Sequence, residues 1–567
     1  MSNPPPSGPA SPHFRKLTIV AQDPSIKVAG KILTADVEVP AEELLPGPCG
    51  YRVNVIDYDA STNRLYEPAT VPPLDSNRKQ PAVPNDRRLL DDPRFHAQNV
   101  YAIVMRTLAR FEFALGRRVA WGSDGHQLHV APHAFAEANA FYSREDRGLF
   151  FGYFTGQHGN PVFTCLAHDV VAHETTHAIL DGLRSRYLEP SSPDQAAFHE
   201  GFADVIALLS VFSLADVVAA VLDRQTVGQK LIAEKFLSRE KLRKSVLLGL
   251  ADEMGSELSK VRGEALRRSV ELEPGLPYSK DPNFQEEHAR GELIVAAIMN
   301  AFLDIWLARL ARVGFIQGRK RDRRLVVEEG AKVANHLLTM AIRAIDYCPP
   351  TDLSFSDYLS ALLTVDSEVV PDDDKYGYRD AILRNFKAFD IKPDKDADKS
   401  GTWPRFAAPL SYARTHFDSM LRDKEEVFRF IWENRTALQL DGGGYVEVES
   451  IRPCTRIGPD GFVLRETVAE YVQIMTLKAD ELQGALDITP PPEIPGWRRL
   501  RIYSGGALIF DEYGQLKYQI ANHIARTDAD KKRQAARLQH LSDAGYFDRA
   551  AAGVSRFAQI HLRRATR

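Results

Sequence analysis

Cysteine is scarce in this chain. Cys49, Cys165, Cys348 and Cys454 are the only four among 567 residues, and no two form a CxxC pair. The pattern reads neither as a disulfide framework nor as a thiolate metal site, and buried free thiols in a reducing compartment are expected. Charge of one sign is equally short. A formal net charge of -4 implies no particular affinity for nucleic acid or an anionic membrane, so neither is expected as a partner. No internal repeat is visible, and no basic start followed by an apolar stretch opens the chain, so no Sec-type signal peptide is expected. Long apolar runs are few. Val205 to Leu222 holds Asp216 as its one charge, and Ile294 to Leu310 is interrupted by Asp304 and Arg309. The Ala/Ser content of the first suits a helix buried among helices rather than a membrane span, and the second is read the same way. The expectation is a soluble, cytoplasmic protein whose export, if any, would be non-classical.

What is present is ordinary globular composition, 44% hydrophobic and 26% charged, in a chain too long for one compact core. The Pro/Ser-rich residues 1–14 read as a disordered tail. From Leu17 to about Pro72 the chain is rich in Val, Ile and Thr and predicts strands. Asp86 to Arg94 is charged and loop-like. Apolar residues at helical spacing (Val100, Ile103, Val104, Leu108, Phe111) then predict a helix over 97–115, ending at Gly116. Short strands are expected at Gln127–Val130, Asn139–Ser143 and Leu149–Phe154, which makes 15–168 a β-rich segment. From Asp169 to about residue 393 the periodicity is almost entirely helical. Residues 394–404 are charged and apolar-poor and read as a linker. The remainder, 405–567, predicts a small α+β accessory domain. Its pieces are a helix over 421–432, strands at 445–448 and 462–464, a hairpin at 507–518 and a basic amphipathic helix over 531–541.

The segment His173-Glu174-Thr175-Thr176-His177 carries the chemistry. On a helix the two histidines lie one turn apart on one face, so both imidazoles can converge on one ion. Glu174 is rotated by roughly 100° from His173 and reaches a water on that ion instead. The mostly apolar flanks Asp169-Val170-Val171-Ala172 and Ala178-Ile179-Leu180 make the helix largely buried, where two histidines and a glutamate are costly without a partner. A catalytic zinc takes three protein ligands and keeps one position for water. Glu200, in Glu200-Gly201-Phe202-Ala203-Asp204, is the natural third ligand.

With these motifs the chain resembles the gluzincin metallopeptidases, the thermolysin-like and fungalysin-like enzymes, over roughly residues 95–390. The resemblance implies an α+β, two-lobed peptidase: a β-rich N-terminal lobe, a helical lobe and the active-site helix between them, here followed by the extra α+β domain. It implies one zinc per chain on His173, His177 and Glu200, with the gap of 23 residues between the last two close to the family's. Asp204, one turn beyond Glu200, would hydrogen-bond His173. Asn139-Ala140-Phe141-Tyr142 looks like the edge strand that holds an extended peptide, through the Asn139 side chain and the Ala140 carbonyl. Gly263-Glu264-Ala265-Leu266-Arg267 resembles the segment whose arginine binds a substrate carbonyl. His288-Ala289-Arg290-Gly291-Glu292 resembles the HxxGE form, whose histidine stabilises the oxyanion, with Tyr187 as a second donor. Asp281, Glu286 and Glu287 are all candidates to orient His288. The acidic cluster that binds structural calcium is not evident after Asp204, so calcium dependence is not expected. No GxMxN-type aminopeptidase motif occurs.

The implied activity is that of a zinc-dependent endopeptidase acting on peptide or protein substrates. Glu174 would serve as general base and catalytic residue beside His288 and Tyr187. The alternative is a restrained or inactive relative that binds a regulatory partner through 405–567.

Overall fold

Local signals account for the first long helix. Asp92 is extended and its side chain accepts from the Arg94 amide, Pro93 occupies the first helical position, and Gly116 stops the helix in the left-handed conformation (φ 68°). The computed structural model describes residues 13–71, 86–243 and 269–547, apart from 25–26, 29, 124, 157–158, 190, 227–228, 270, 279–280, 374–375 and 544. Within these the fold is mixed α+β. Strands β1 (Phe14–Val20) and β2 (Thr34–Pro40) form an antiparallel pair. It packs, with the short β3 (Val53–Val55), on helix α1 (Pro93–Leu115). Phe14, assigned to the tail from sequence, opens β1 opposite Pro40. The charged 86–94 stretch is also not a loop: Asp86–Asp91 is helical, with Leu89 buried.

The central sheet is mixed. β4 (Leu128–Phe135) lies parallel to both β3 and β6 (Gly148–Thr155). β5 (Ala140–Ser143) and β7 (Pro161–Phe163) pair antiparallel with different halves of β6. Among the described residues, β5 pairs with β6 alone, which leaves it an edge strand.

Helices follow. α2 (His168–Leu183) is buried along its whole length except at Gly182. α3 (Pro193–Phe212) is capped by Ser192 and begins with Pro193. The apolar 205–222 run is not one helix but two, α3 and Ala215–Thr226, bent by 79°. α4 (Glu287–Arg312) is long and apolar enough to cross a membrane, but 78% of its most apolar window is buried inside the protein. α5 (Arg323–Ala344) and α6 (Phe355–Val369) complete the helical layer. α3 and α4 cross at Gly201 and Gly291. A Cβ on Gly201 would meet the Gly291 carbonyl at 2.7 Å, and one on Gly291 would meet the Ala197 carbonyl at 2.9 Å.

The last part is a four-stranded antiparallel meander: β8 (Tyr445–Ile457), β9 (Val463–Lys478), β10 (Arg499–Phe510) and β11 (Leu516–Asn522). Its buried Cys454, Val468, Ile509, Tyr518 and Ile520 belong to the same apolar core as the helices. Residues 394–404 run along α6. The Asp394 amide donates to Ser360 (3.0 Å), and the Trp403 indole donates to the Tyr347 carbonyl (3.0 Å).

Charge crosses this contact as well. Asp346 receives Arg117 at 2.5 and 2.7 Å and Arg456 at 2.5 Å. Arg456 also pairs with Glu466, which accepts from Lys517 (2.5 Å) and Tyr347 (2.8 Å). Asp346, Arg456 and the Glu466 side chain are fully buried. A bulge between Val448 and Ser450 turns Glu449 towards Arg186, 2.6 Å away.

Burial pushes the Asp346 carboxyl up, but Arg117 and Arg456 outweigh it and hold it well below the ordinary carboxylate range. A depressed folded-state value adds stability above the ordinary 3.8 that is lost as pH falls below it. Asp346→Asn should therefore cost about 3–5 kcal/mol at neutral pH by stranding buried cations, and should flatten the acid limb of the unfolding curve. Denaturant unfolding between pH 2 and 7 checks both; an unchanged wild-type profile contradicts them.

Candidate metal centre

α2 brings His173 and His177 together as the four-residue spacing requires, with ring centroids 4.4 Å apart and planes perpendicular. Its own hydroxyls make no demand on the site: Thr175 and Thr176 bond back to the Val171 and Ala172 carbonyls, at 2.6 and 2.7 Å. From α3, Glu200 reaches both rings, with carboxylate oxygens 3.5 Å from His173 Nε2 and 3.5 Å from His177 Nε2. All three are buried, at 0, 0 and 2% exposure, and one ligand atom from each lies within 4.8 Å of the others. A separation of 3.5 Å is long for a hydrogen bond. It is close to the roughly 3.3 Å between two ligands on one tetrahedral ion with bonds of about 2.0–2.1 Å. Two imidazoles and a carboxylate are also a donor set that a transition metal accepts. These residues fit a metal ion.

Outer hydrogen bonds fix how the rings face. His173 Nδ1 lies 2.8 Å from Asp204 Oδ1, the partner expected from sequence. His177 Nδ1 meets His199 Nδ1 at 2.8 Å. With His177 Nε2 turned to the centre, its Nδ1 carries the hydrogen and His199 accepts. The sequence reading missed His199. The available signal was its place directly before Glu200, on the helix that faces His177.

Glu174 is fully buried, and its Oε2 accepts the Tyr142 amide of β5 at 3.1 Å. The Tyr142 hydroxyl donates to Asp181, one turn beyond His177 on α2 (2.8 Å). Helix and edge strand are thus tied at two points that flank the second histidine. Burial pushes the Asp181 carboxyl up to about 6 against the pull of Tyr142 and Arg144.

The α3–α4 crossing brings His288 to the centre. Its Nε2 is 3.7 Å from Glu200 Oε2, and its Nδ1 meets Glu286 Oε1 at 2.9 Å. Of the three candidate carboxylates, Glu286 is the one that holds the ring, from the N-cap of α4, where it also accepts the Ala289 amide (3.0 Å). Partial burial raises the Glu286 carboxyl, and the bonds from His288 and Ala289 more than reverse this, down to about 2.

Other expected residues are not gathered here. The Tyr187 hydroxyl donates to the Pro349 carbonyl at 2.6 Å within the core, so it is a packing residue and not an oxyanion donor. Asn139 is buried, and its carboxamide oxygen accepts the Ala140 amide (2.9 Å), so it braces the start of β5 instead of projecting from it. Ala140 lies on the edge strand as expected. Arg267 falls outside the described residues.

Two changes test the geometry. Asp204→Asn should weaken metal affinity about 10- to 100-fold with folding retained, as read by chelator competition. Gly201→Ala should cost about 1–3 kcal/mol by forcing the crossing apart, and should lower metal affinity because Glu200 rides on the displaced helix. Equal affinity in both variants contradicts the arrangement. Comparison with protein-family models and with curated proteins finds no match for this chain, so the centre is read from its own residues.

Proposed function

We propose that the protein is a zinc-dependent endopeptidase of the thermolysin-like, two-lobed kind. The observation that carries the reading is the convergence of His173, His177 and Glu200 on one buried point, with Glu174 on the same helix as the two histidines and His288 Nε2 3.7 Å from Glu200 Oε2. The fold is consistent with it: a sheet with an edge strand on one side of α2, helices on the other, and a carboxylate on α2 bonded to that strand.

His173, His177 and Glu200 would hold the zinc, which when bound acidifies water and polarises a carbonyl. Glu174 accepts a proton from the attacking water and passes it to the leaving amine. The Tyr142 amide holds the Glu174 carboxylate in one rotation, so the base is registered against the strand that would carry the substrate. Among the described residues β5 pairs with β6 alone, and an extended substrate would add its main chain along the other edge, with little demand on its sequence. His288 donates to the oxyanion that develops on the scissile carbonyl. A ring that gives one hydrogen to Glu286 and one to an oxyanion bears two protons, and the ionised Glu286 supplies the opposing charge. Asp204 and His199 keep the ligand rings in the tautomers that turn Nε2 to the centre.

Glu174→Gln should abolish hydrolysis of casein or a quenched peptide, a loss of at least about 10²-fold, while retaining metal. His288→Ala should lower kcat by about 10²–10³-fold with KM little changed. Removal of metal by a chelator should stop the wild type, and zinc should restore it. A chain that holds zinc but cleaves neither substrate would favour the restrained, partner-binding alternative. An active Glu174→Gln variant would remove the general-base role.

A further inference from the structure

A second buried group stands apart from the first. His96 on α1, His133 on β4 and Cys165, in the turn before α2, place one ligand-capable atom each within 4.8 Å of one another. Their exposures are 1, 1 and 0%. His96 Nδ1 and His133 Nε2 face each other at 2.8 Å. Each ring is anchored through its other nitrogen. His96 Nε2 donates to the Leu89 carbonyl at 2.9 Å, and His133 Nδ1 to the Asp57 carboxylate at 2.8 and 3.0 Å. Asp57 also accepts the His133 amide (3.2 Å). Phe163 closes over both rings, at centroid distances of 4.8 and 5.3 Å.

The hydrogens are over-determined. A carbonyl and an ionised carboxylate can only accept, so both outer nitrogens carry hydrogens. The two inner nitrogens then share a third proton, which puts a cation next to Asp57, or point lone pairs at each other. A metal ion takes the place of that proton. Histidines whose outer nitrogens are fixed by a backbone carbonyl and a carboxylate are in the state that metal ligands adopt, and a thiolate beside two imidazoles favours a borderline-soft ion.

We propose that His96 Nδ1, His133 Nε2 and Cys165 Sγ bind a second zinc ion, with Asp57 orienting His133 and one position left for a small ligand. With the proton shared between the rings, binding breaks the Cys165 S–H bond and displaces that proton, so two protons leave as Zn²⁺ enters and the charge of the cluster with Asp57 is unchanged. With lone pairs facing, one proton leaves, from Cys165, and the cluster gains one positive charge, which Asp57 offsets. The inner nitrogens must part from 2.8 Å to about 3.3 Å, the spacing for bonds of about 2.0–2.1 Å. Cys165 precedes His168, the first residue of α2, by three positions. The ion would therefore tie the start of the active-site helix to α1 and β4.

The test is metal stoichiometry and cobalt substitution on the full-length chain. Wild type should carry two zinc ions, Cys165→Ser one and His177→Ala one. Cobalt(II) should give a thiolate-to-metal charge-transfer band in wild type and in His177→Ala, and no such band in Cys165→Ser. The centre at His173, His177 and Glu200 contains no sulfur, so the band reports the second site alone, whether or not the chain hydrolyses peptides. A wild type with one zinc, kept by Cys165→Ser and lost by His177→Ala, and with no charge-transfer band, would overturn the proposal and leave His96 and His133 as a proton-sharing pair. Should Cys165→Ser fail to fold, the wild-type and His177→Ala cobalt spectra still decide.

Discussion

Two helices can lie with their backbones in contact only where neither carries a side chain at the crossing, and Gly201 and Gly291 meet that condition for α3 and α4. Much of the candidate centre depends on this approach. Glu200 is adjacent to one glycine, and His288 is three residues before the other, so the distance between helix axes sets how far the carboxylate and the imidazole stand from the rings on α2. A wider crossing filled with side chains would keep the fold class and lose the convergence. The same closeness explains why a residue with no polar atoms of its own governs a polar site.

Around that crossing each functional group is held by something that is not itself functional. His173 leans on Asp204, His177 on His199, His288 on Glu286, and Glu174 on the Tyr142 amide. These supports come from α3, the N-cap of α4 and the edge strand, so the site is specified by how three layers meet more than by any one of them. The C-terminal sheet adds a further support. Arg452 donates to the Leu183 carbonyl at the end of α2 (2.9 Å), and Arg184, the next residue, is paired with Glu470. The domain grips the far end of α2 by buried charge and does not lie loosely beside it.

The sequence made the centre legible because its key relations are local. The four-residue spacings of His173 with His177 and of Glu200 with Asp204 fix a shared helix face, whatever the rest of the chain does. Relations that depend on where two elements meet were not legible. Tyr187 follows His177 by ten residues yet turns into the core. Glu286 could be told from Glu287 and Asp281 only once its place as the α4 N-cap was known. His199 needed the facing helix. The strands β8 and β9 were seen only as short pieces, because Arg456 and Glu466 look like surface residues until a buried Asp346 and Lys517 are set against them. Cys165 looked inert for a similar reason: its nearest ligand-type neighbours, His96 and His133, are 69 and 32 positions away.

Gly116 carries one more implication. It ends α1, and it is also where a Cβ would strike the Thr455 carbonyl at 2.2 Å, while the Thr455 amide donates to the Gly116 carbonyl at 3.0 Å. Together with Asp346, which takes Arg456 from the same strand, it makes the outer face of the helical body a socket moulded to β8. Such a body is not a portable module. Any lineage that exchanged the C-terminal domain for another would have to replace, at one stroke, a buried cation and a main-chain contact that tolerates no side chain. The two parts are therefore expected to be inherited, and lost, as one.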